Sequence, residues 1–162
     1  MVDTLRQGAP AELWQAMVRE AAERTGRALD EDCESYLVFV LLRYQRETQL
    51  LSHTQALDWL HAQAQSGQLR ADALRDVGDR CLLVAGLYPG LAERRRVDVD
   101  YFIGLGRGAY LGVAETSRAA YAQLFAHLAR AYRDLVRTLL ALPPSAPALL
   151  PGARVQPAGR LH

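Results

Sequence analysis

Glycines crowd one short segment of the chain, and their spacing matches a phosphate-binding turn. The motif Gly104-x-Gly106-x-x-Ala109 follows an apolar, β-branched stretch at 97–103. In a Rossmann unit, such a turn places backbone N–H groups and a helix N-terminus against the pyrophosphate of a dinucleotide. That unit also needs a second strand about 20 residues later, ending in an acidic residue. Because residues 118–141 have a helical pattern instead, dinucleotide binding is the minor hypothesis.

The same segment also fits a helix that is capped by Asp98 or Asp100. Gly104, Gly108 and Gly112 would then lie on one face of the helix, at i, i+4 and i+8. Each glycine inside a helix costs on the order of 1 kcal/mol relative to alanine, so a close neighbour should compensate. Either another helix packs against this glycine face or a ligand binds there.

Tyrosine and arginine side chains surround the glycine face and would suit a small anionic or aromatic ligand. A second polar element, the Asp79-Arg80 pair beside Gly78, is either a structural ion pair or part of the same polar centre. The candidate ligand-binding residues are Asp79, Arg80, Tyr88, Arg96, Tyr101, Gly104, Arg107, Gly108 and Tyr110.

Catalytic and metal signatures are weak. The chain has no GxSxG motif, and its scattered serines indicate no nucleophile. Asp58 and His61 have the i, i+3 spacing of di-iron bundles, but such sites need a second pair and two more carboxylates. We therefore predict no metal and no cofactor. An enzyme with a polar centre of Asp79, Arg80 and a tyrosine remains the alternative to a binding protein.

The composition excludes several classes of chemistry. All 19 of the Lys+Arg residues are arginine, and the chain contains no asparagine. Without lysine there is no P-loop, no kinase phosphate lysine and no Schiff-base enzyme. Without asparagine there is no N-glycosylation site and no Cys-His-Asn triad. Each side-chain cation other than histidine is a guanidinium, which suits bidentate carboxylate pairs and stacking on tyrosine.

Charge and hydropathy bear on the partners and the location. A formal net charge of +1 argues against nucleic-acid binding. The longest apolar run, residues 36–42, is far shorter than the roughly 20 residues that span a membrane. The N-terminus lacks the apolar region of a signal peptide, and Cys33 and Cys81 form no CxxC motif. We expect a cytoplasmic protein with reduced thiols and no membrane partner.

Helical periodicity dominates the chain and predicts an all-α fold. We predict one domain over residues 1–142, a single bundle of five to six helices, followed by a flexible, proline-rich tail at 143–162. Residues 1–9 have no clear pattern. Pro10 suits the first turn of the helix that follows, and Gly26 is its predicted stop. Five of the predicted helices cover about 10–25, 30–46, 69–86, 98–116 and 118–141. Another helix, the third in the chain, lies between 30–46 and 69–86; it is opened by the Ser52-x-x-Gln55 capping box and closed by Gly67.

Three of these helices carry further signals. Asp30 is a suitable N-cap for the second helix, whose run at 36–42 is apolar all round and predicts a central, buried element. The third helix carries an apolar stripe that includes Leu57 and Leu60. In the last helix, a seam with 4-3 spacing predicts bundle packing; it comprises Tyr121, Phe125, Leu128, Tyr132, Leu135, Leu139 and Leu142.

One resemblance covers roughly residues 35–115. The stretch from Leu74 to Pro89, then Glu93 to Val97, then Tyr101-Phe102-Ile103-x-Leu-Gly106-x-x-Ala109-Tyr110 resembles the signature of a family of uncharacterised proteobacterial proteins. Ala56-Leu57-Asp58-Trp59-Leu60 also fits it. The family has no established activity, so the resemblance implies a bacterial cytosolic helical protein and nothing catalytic. It also implies that the Asp79–Arg80 and Arg96–Tyr110 regions act together.

The functional expectation is a helical binding or interaction module without catalysis, whose partner is a small ligand or a protein. Self-association as a homodimer is part of this expectation. The apolar second helix and the 118–142 seam offer more apolar surface than one small bundle must bury.

Overall fold

The computed structural model describes residues 2–46, 55–90 and 98–150, with the side chains of 2–9 and 148 left aside. These ranges contain helices and no strand, so the predicted all-α class is confirmed. The elements are α1 (Val2–Arg24), α2 (Glu31–Gln45), α3 (Gln55–Gln63), α4 (Gly67–Leu87), α5 (Val99–Thr116), α6 (Ala119–Arg130), α7 (Tyr132–Leu140) and a 3₁₀ helix (Ala146–Leu149). The seven α-helices of the described ranges exceed the predicted five to six.

The chain divides into two compact units, where the sequence predicts one domain. The first unit comprises Met1–Ser52 and Arg137–His162, and the second comprises His53–Val136. The division falls within α7. None of the helices in the described ranges is long and apolar enough to cross a membrane.

In the first unit, α1 packs against α2. The indole N–H of Trp14, which is fully buried, donates to the side-chain oxygen of Gln45 at 3.1 Å. The Arg19 guanidinium donates to both carboxylate oxygens of Glu34, at 3.1 and 2.8 Å. This pairing holds the pKa of the Glu34 carboxyl below its usual range. The two helices are therefore joined by apolar burial and by one bidentate ion pair.

The ends of α1 and α2 test three predictions. Helix α1 already begins at Val2, so Pro10 lies inside it and not in its first turn as predicted. Gly26, predicted as the stop, follows the helix with a φ of +76° that only glycine adopts readily. Asp30 is the N-cap of α2 as predicted, because its carboxylate accepts from the backbone N–H of Cys33 at 2.9 Å.

The apolar run of α2 is not buried all round. Leu37, Val40 and Leu41 are fully buried, but Phe39 is 46% exposed. Seven consecutive residues of a helix cover all sides of its surface, and only one side of α2 faces this core. The prediction of a central helix is therefore wrong at Phe39.

The folded part extends beyond the predicted boundary at residue 142. Ala146, the first residue of the 3₁₀ helix, and Leu150, which follows its last residue, are fully buried. The Arg24 guanidinium of α1 donates to the Ala141 carbonyl just after α7. Residues 151–162, the remainder of the predicted tail, lie outside the described residues.

Helix α4 organises the second unit. It packs against α5 and α3, and α5 packs in turn against α6. Its bounds agree with the predicted 69–86, but Gly67 begins α4 where the sequence predicts the end of α3. The buried residues of α4 are Ala71, Leu74, Val77, Gly78, Asp79, Cys81, Leu82, Leu83, Val84, Ala85, Gly86 and Leu87.

Helix α3 presents its predicted apolar stripe to solvent. Leu57 is 64% exposed and Leu60 is 58% exposed. The side that faces α4 carries Gln55 and Asp58, which bind the Arg80 guanidinium. A polar contact, and not the leucine stripe, sets the rotation of this helix. Ser52, the other half of the predicted capping box, lies outside the described ranges.

Residues 99–116 form helix α5, capped by the Asp98 carboxylate, which accepts from the backbone N–H of Asp100 at 3.1 Å. The strand and turn that dinucleotide binding requires are therefore not formed over these residues. The predicted helix 118–141 is interrupted at Ala131, between α6 and α7. Its seam is buried as predicted, except that Tyr121 is 40% exposed.

Candidate functional site

A buried polar contact joins α4 and α5. The Tyr110 hydroxyl donates to Oδ1 of Asp79 at 2.6 Å, and both side chains are fully buried. The Tyr110 ring occupies the space that a Cβ atom at Gly78 would need. Glycine at position 78 therefore lets the ring lie directly on the α4 backbone, where its hydroxyl reaches the next residue.

Tyr132 makes a second contact of the same kind. Its hydroxyl donates to the Gly78 carbonyl at 2.7 Å and occupies the space of a Cβ atom at Gly106. A Cβ at Gly106 would also lie 3.1 Å from the Cβ of Cys81. The glycines at 78 and 106 are thus required by two tyrosines, and we call these four residues with Asp79 the tyrosine–glycine core.

The tyrosine–glycine core is closed to solvent. The Tyr110 ring stacks edge-on against Tyr132 and Phe125, with centroid distances of 5.3 Å to each. Burial raises the pKa of Tyr132 well above its ordinary value and raises the pKa of the Cys81 thiol to about 12. These groups stay protonated at neutral pH. A substrate would reach Asp79 only if the helices separated.

Asp79 and Arg80 do not form one polar centre. Arg80 donates to Oε1 of Gln55 and to Oδ2 of Asp58, each at 3.2 Å, while Asp79 binds Tyr110. Successive helical residues point about 100° apart, so neighbours in sequence face different helices. Asp58 thus takes part in the Arg80 contact, and His61, which has the i, i+3 spacing from it, is exposed and lies 3.3 Å from the Gln65 amide.

Of the other predicted site residues, Tyr88, Tyr101 and Arg107 lie in the described ranges. Tyr88 follows the end of α4, and burial raises its pKa to about 12. Tyr101 is 47% exposed. Arg107 donates through Nε to the Ala129 carbonyl near the end of α6, at 3.2 Å. Arg96 lies outside the described residues.

The predicted glycine face of α5 is not one surface. Among the described residues, a Cβ at Gly104 or at Gly108 would have no heavy-atom neighbour within 4 Å, whereas one at Gly112 would lie 2.7 Å from Cδ1 of Leu74. Gly106, which the sequence places off this face, is the tightly packed glycine. The i, i+4, i+8 pattern shows that residues share a side of a helix, but it does not show which side is covered.

Gly104 and Gly108 belong to an exposed surface that we call the outer face. It continues over Tyr101 and over Leu111, which is 45% exposed. A shallow, mainly apolar groove of about 390 Å³ borders it, lined by Leu111, Ala114, Glu115, Ala122, Gln123 and Ala126. The outer face is therefore smooth, partly apolar and accessible.

A separate polar cleft lies where the turn between α5 and α6 meets the start of α4. It has a volume of about 490 Å³ and is lined by Gln68, Asp72, Arg75, Thr116, Ser117, Arg118 and Tyr121. Sequence reasoning missed this cleft, because its residues come from two segments that are far apart in the chain. The only local signal was a run of polar residues between two helices.

Comparison of the chain with protein-family models, with curated proteins and with solved structures gives no significant match. The resemblance to an uncharacterised proteobacterial family therefore stays a prediction.

Proposed function

We propose that this protein is a non-catalytic helical interaction module that self-associates through the outer face. The observation that carries the proposal is the open space at Gly104 and Gly108. Glycine within a helix costs on the order of 1 kcal/mol relative to alanine. At Gly78, Gly106 and Gly112 that cost is matched by close internal packing. At Gly104 and Gly108, no internal neighbour among the described residues requires it.

A second helix is the neighbour that such a surface suits. Glycines on an exposed helix let another backbone approach closely, because no Cβ atoms intervene. Tyr101 and Leu111 flank the glycines and supply apolar area that is left in solvent within one chain. The groove beside Leu111 would take side chains of the incoming helix.

Charge favours a second copy of this chain as the partner. In an antiparallel two-fold pairing of α5 helices centred on Leu111, the position of Arg107 faces that of Glu115 in the partner subunit. In this register Gly108 faces the partner's Ala114, and Gly104 lies level with the turn that follows α5 in the partner subunit. An isologous interface repeats each contact, so this pairing places two opposite-charge pairs across it. The Nε atom of Arg107 already binds Ala129, which orients the guanidinium at the rim of the outer face.

Sedimentation equilibrium and native mass spectrometry test the proposal. We expect a dimer for the unmodified chain and a monomer for the double variant Gly104→Leu/Gly108→Leu. Because both positions are open and leucine favours helix, the melting temperature of the variant monomer should not fall. Ala120→Leu, at another exposed helical position, is the matched control and should leave the dimer intact. A monomeric unmodified chain at about 100 μM, a concentration that reveals even weak pairs, would refute the proposal.

A charge swap tests the register. Arg107→Glu and Glu115→Arg should each weaken the dimer through like-charge contacts, and the double swap should restore it. Two single swaps without effect, or a double swap that fails to restore association, would contradict the antiparallel pairing centred on Leu111.

The remaining expectations belong to the same proposal. A bacterial cytosolic setting is supported by the composition, by the cysteine usage and by the family resemblance. The absence of nucleic-acid partners is supported by the net charge of +1. The proposed module needs no cofactor and no metal, because association uses only packing and surface charge.

A further inference from the structure

We infer that the polar cleft between α4 and the α5–α6 turn binds a small organic phosphate. The cleft is formed within the second unit of one chain, so this inference does not depend on self-association. Its volume of about 490 Å³ lies within the range of roughly 300–1,000 Å³ that is common for small-molecule sites. Polar side chains from three helices and the turn converge on it.

The charged side chains that line the cleft are two guanidinium groups and one carboxylate, and a second carboxylate, that of Asp76, pairs with one of these guanidinium groups. Two guanidinium groups, Arg75 and Arg118, line it together with one carboxylate, Asp72. Asp72 accepts a hydrogen bond from the Gln68 amide at 2.8 Å, which holds that carboxylate against its own helix. Asp76 lies 3.3 Å from the Arg75 guanidinium and orients it. Arg118, the N-cap residue of α6, contributes the second guanidinium from the α5–α6 turn.

Hydroxyl groups and one aromatic ring complete the lining. Thr116 donates to the carbonyls of Gly112 and Val113, so its hydroxyl is used within α5 and it contributes to the wall. Ser117 and Tyr121 offer further hydroxyl groups. The Tyr121 ring is 40% exposed and is supported from behind by Phe125, at a centroid distance of 4.9 Å.

This set of groups favours a phosphate ester over a carboxylate. A phosphate monoester presents three acceptor oxygens and up to two negative charges, which two guanidinium groups and two hydroxyls can satisfy together. A carboxylate offers only two oxygens and one charge. The exposed tyrosine ring provides a surface on which an aromatic or other flat organic group can stack.

Titration calorimetry with phenyl phosphate as the probe tests this inference, at constant ionic strength because salt screens surface charge. We expect saturable binding to the unmodified chain. Arg118→Gln should weaken it about tenfold or more, since a charged hydrogen bond is lost. Arg130→Gln removes an exposed arginine at the other end of α6 and should change the affinity less than twofold. Unchanged circular dichroism would show that both variants are folded.

Two further probes identify the class of ligand. Inorganic phosphate should bind more weakly than phenyl phosphate, and benzoate more weakly than either. Equal affinity for benzoate would overturn the phosphate assignment, and equal affinity for inorganic phosphate would overturn the organic one. Absence of saturable binding, or equal losses in Arg118→Gln and Arg130→Gln, would overturn the site itself.

Discussion

The hydroxyl of Tyr132 lies where the Cβ of an alanine at position 106 would have to be. The same hydroxyl donates to the Gly78 carbonyl at 2.7 Å. The side chain of one tyrosine therefore fits between α4 and α5 and contacts both helices. It fits only because each helix has a glycine at the contact. The stability of the second unit should depend on this arrangement more than on any exposed glycine.

Gly106→Ala should be strongly destabilising. The added methyl group overlaps the Tyr132 side chain, which must move and lose its hydrogen bond to Gly78. Overpacking costs roughly 1–3 kcal/mol and the lost bond roughly 1 kcal/mol, so we expect the free energy of unfolding to fall by about 2–4 kcal/mol. Urea denaturation measures it.

Gly104→Ala is the matched control for that substitution. Position 104 is open, so alanine should raise the free energy of unfolding by up to about 1 kcal/mol through helix propensity. Similar effects at positions 104 and 106, whatever their sign, would contradict the packing described for the tyrosine–glycine core.

Tyr132→Phe isolates the hydrogen bond from the packing. The ring remains, but the Gly78 carbonyl loses its buried donor, and we expect a loss of about 1–2 kcal/mol in urea denaturation. Tyr121→Phe, on the partly exposed Tyr121, should change stability by less than about 0.5 kcal/mol. The double variant Gly106→Ala/Tyr132→Phe should lose less stability than the sum of the losses in the two single variants, because both substitutions remove the same hydrogen bond. Full additivity would argue against the shared contact.

Stability should fall at alkaline pH because of Cys81. Burial raises its pKa from the ordinary value of 9.0 to about 12, so the unfolded chain loses this proton at a lower pH than the folded chain. The folded state then holds more protons between these two values. Stability is complete below about pH 9 and declines as the pH rises towards 12, by roughly 1.4 kcal/mol per pH unit for this thiol.

Cys81→Ala tests the origin of that decline. Urea denaturation at pH 7.5, 9 and 10 should show a steeper loss of unfolding free energy for the unmodified chain than for the variant. The lost sulfur contacts shift the whole curve of the variant by a constant amount and do not change its slope. Parallel curves would show that Cys81 does not carry the alkaline dependence.

Ala119→Gly should stabilise the turn into α6. Ala119 has a φ of +49°, in the left-handed region, where a residue with a Cβ atom is strained by roughly 1–2 kcal/mol. Glycine removes that strain, but its greater freedom in the unfolded chain offsets part of the gain. We therefore expect the free energy of unfolding to rise by up to about 1 kcal/mol, measured by thermal or urea denaturation. Ala122→Gly, within regular helix, should instead lose about 1 kcal/mol. A loss at both positions would contradict the left-handed conformation at Ala119.

Local signals in the sequence predicted the helices well. Asp30 begins a helix through a hydrogen bond to a nearby backbone N–H, and Gly26 follows a helix through its own backbone angle. The predicted helix at 98–116 likewise begins at a capping aspartate that is adjacent in sequence. The predicted 118–142 seam is buried except at Tyr121, although the helix that carries it is interrupted at Ala131. Such features depend on residues that are close together in the chain, so they can be predicted from the sequence alone.

The candidate site was predicted only in fragments. Tyr110 and Asp79 do meet, but Arg80 turns to α3, and Gly104 and Gly108 face open space. The leucines of the α3 stripe lie in solvent, whereas Gln55 and Asp58 of the same helix contact Arg80.

The sequence by itself determined the all-α class, most helix ends, the exclusion of lysine chemistry and the reliance on guanidinium contacts. Those conclusions follow from residue types and from interactions within one or two helical turns. Only the tertiary structure decided which glycines are covered, that Tyr132 reaches both Gly78 and Gly106, and that Arg75 and Arg118 line one cleft. The physical reason is that helical periodicity shows which residues share a side, whereas the choice of the buried side depends on contacts between distant segments.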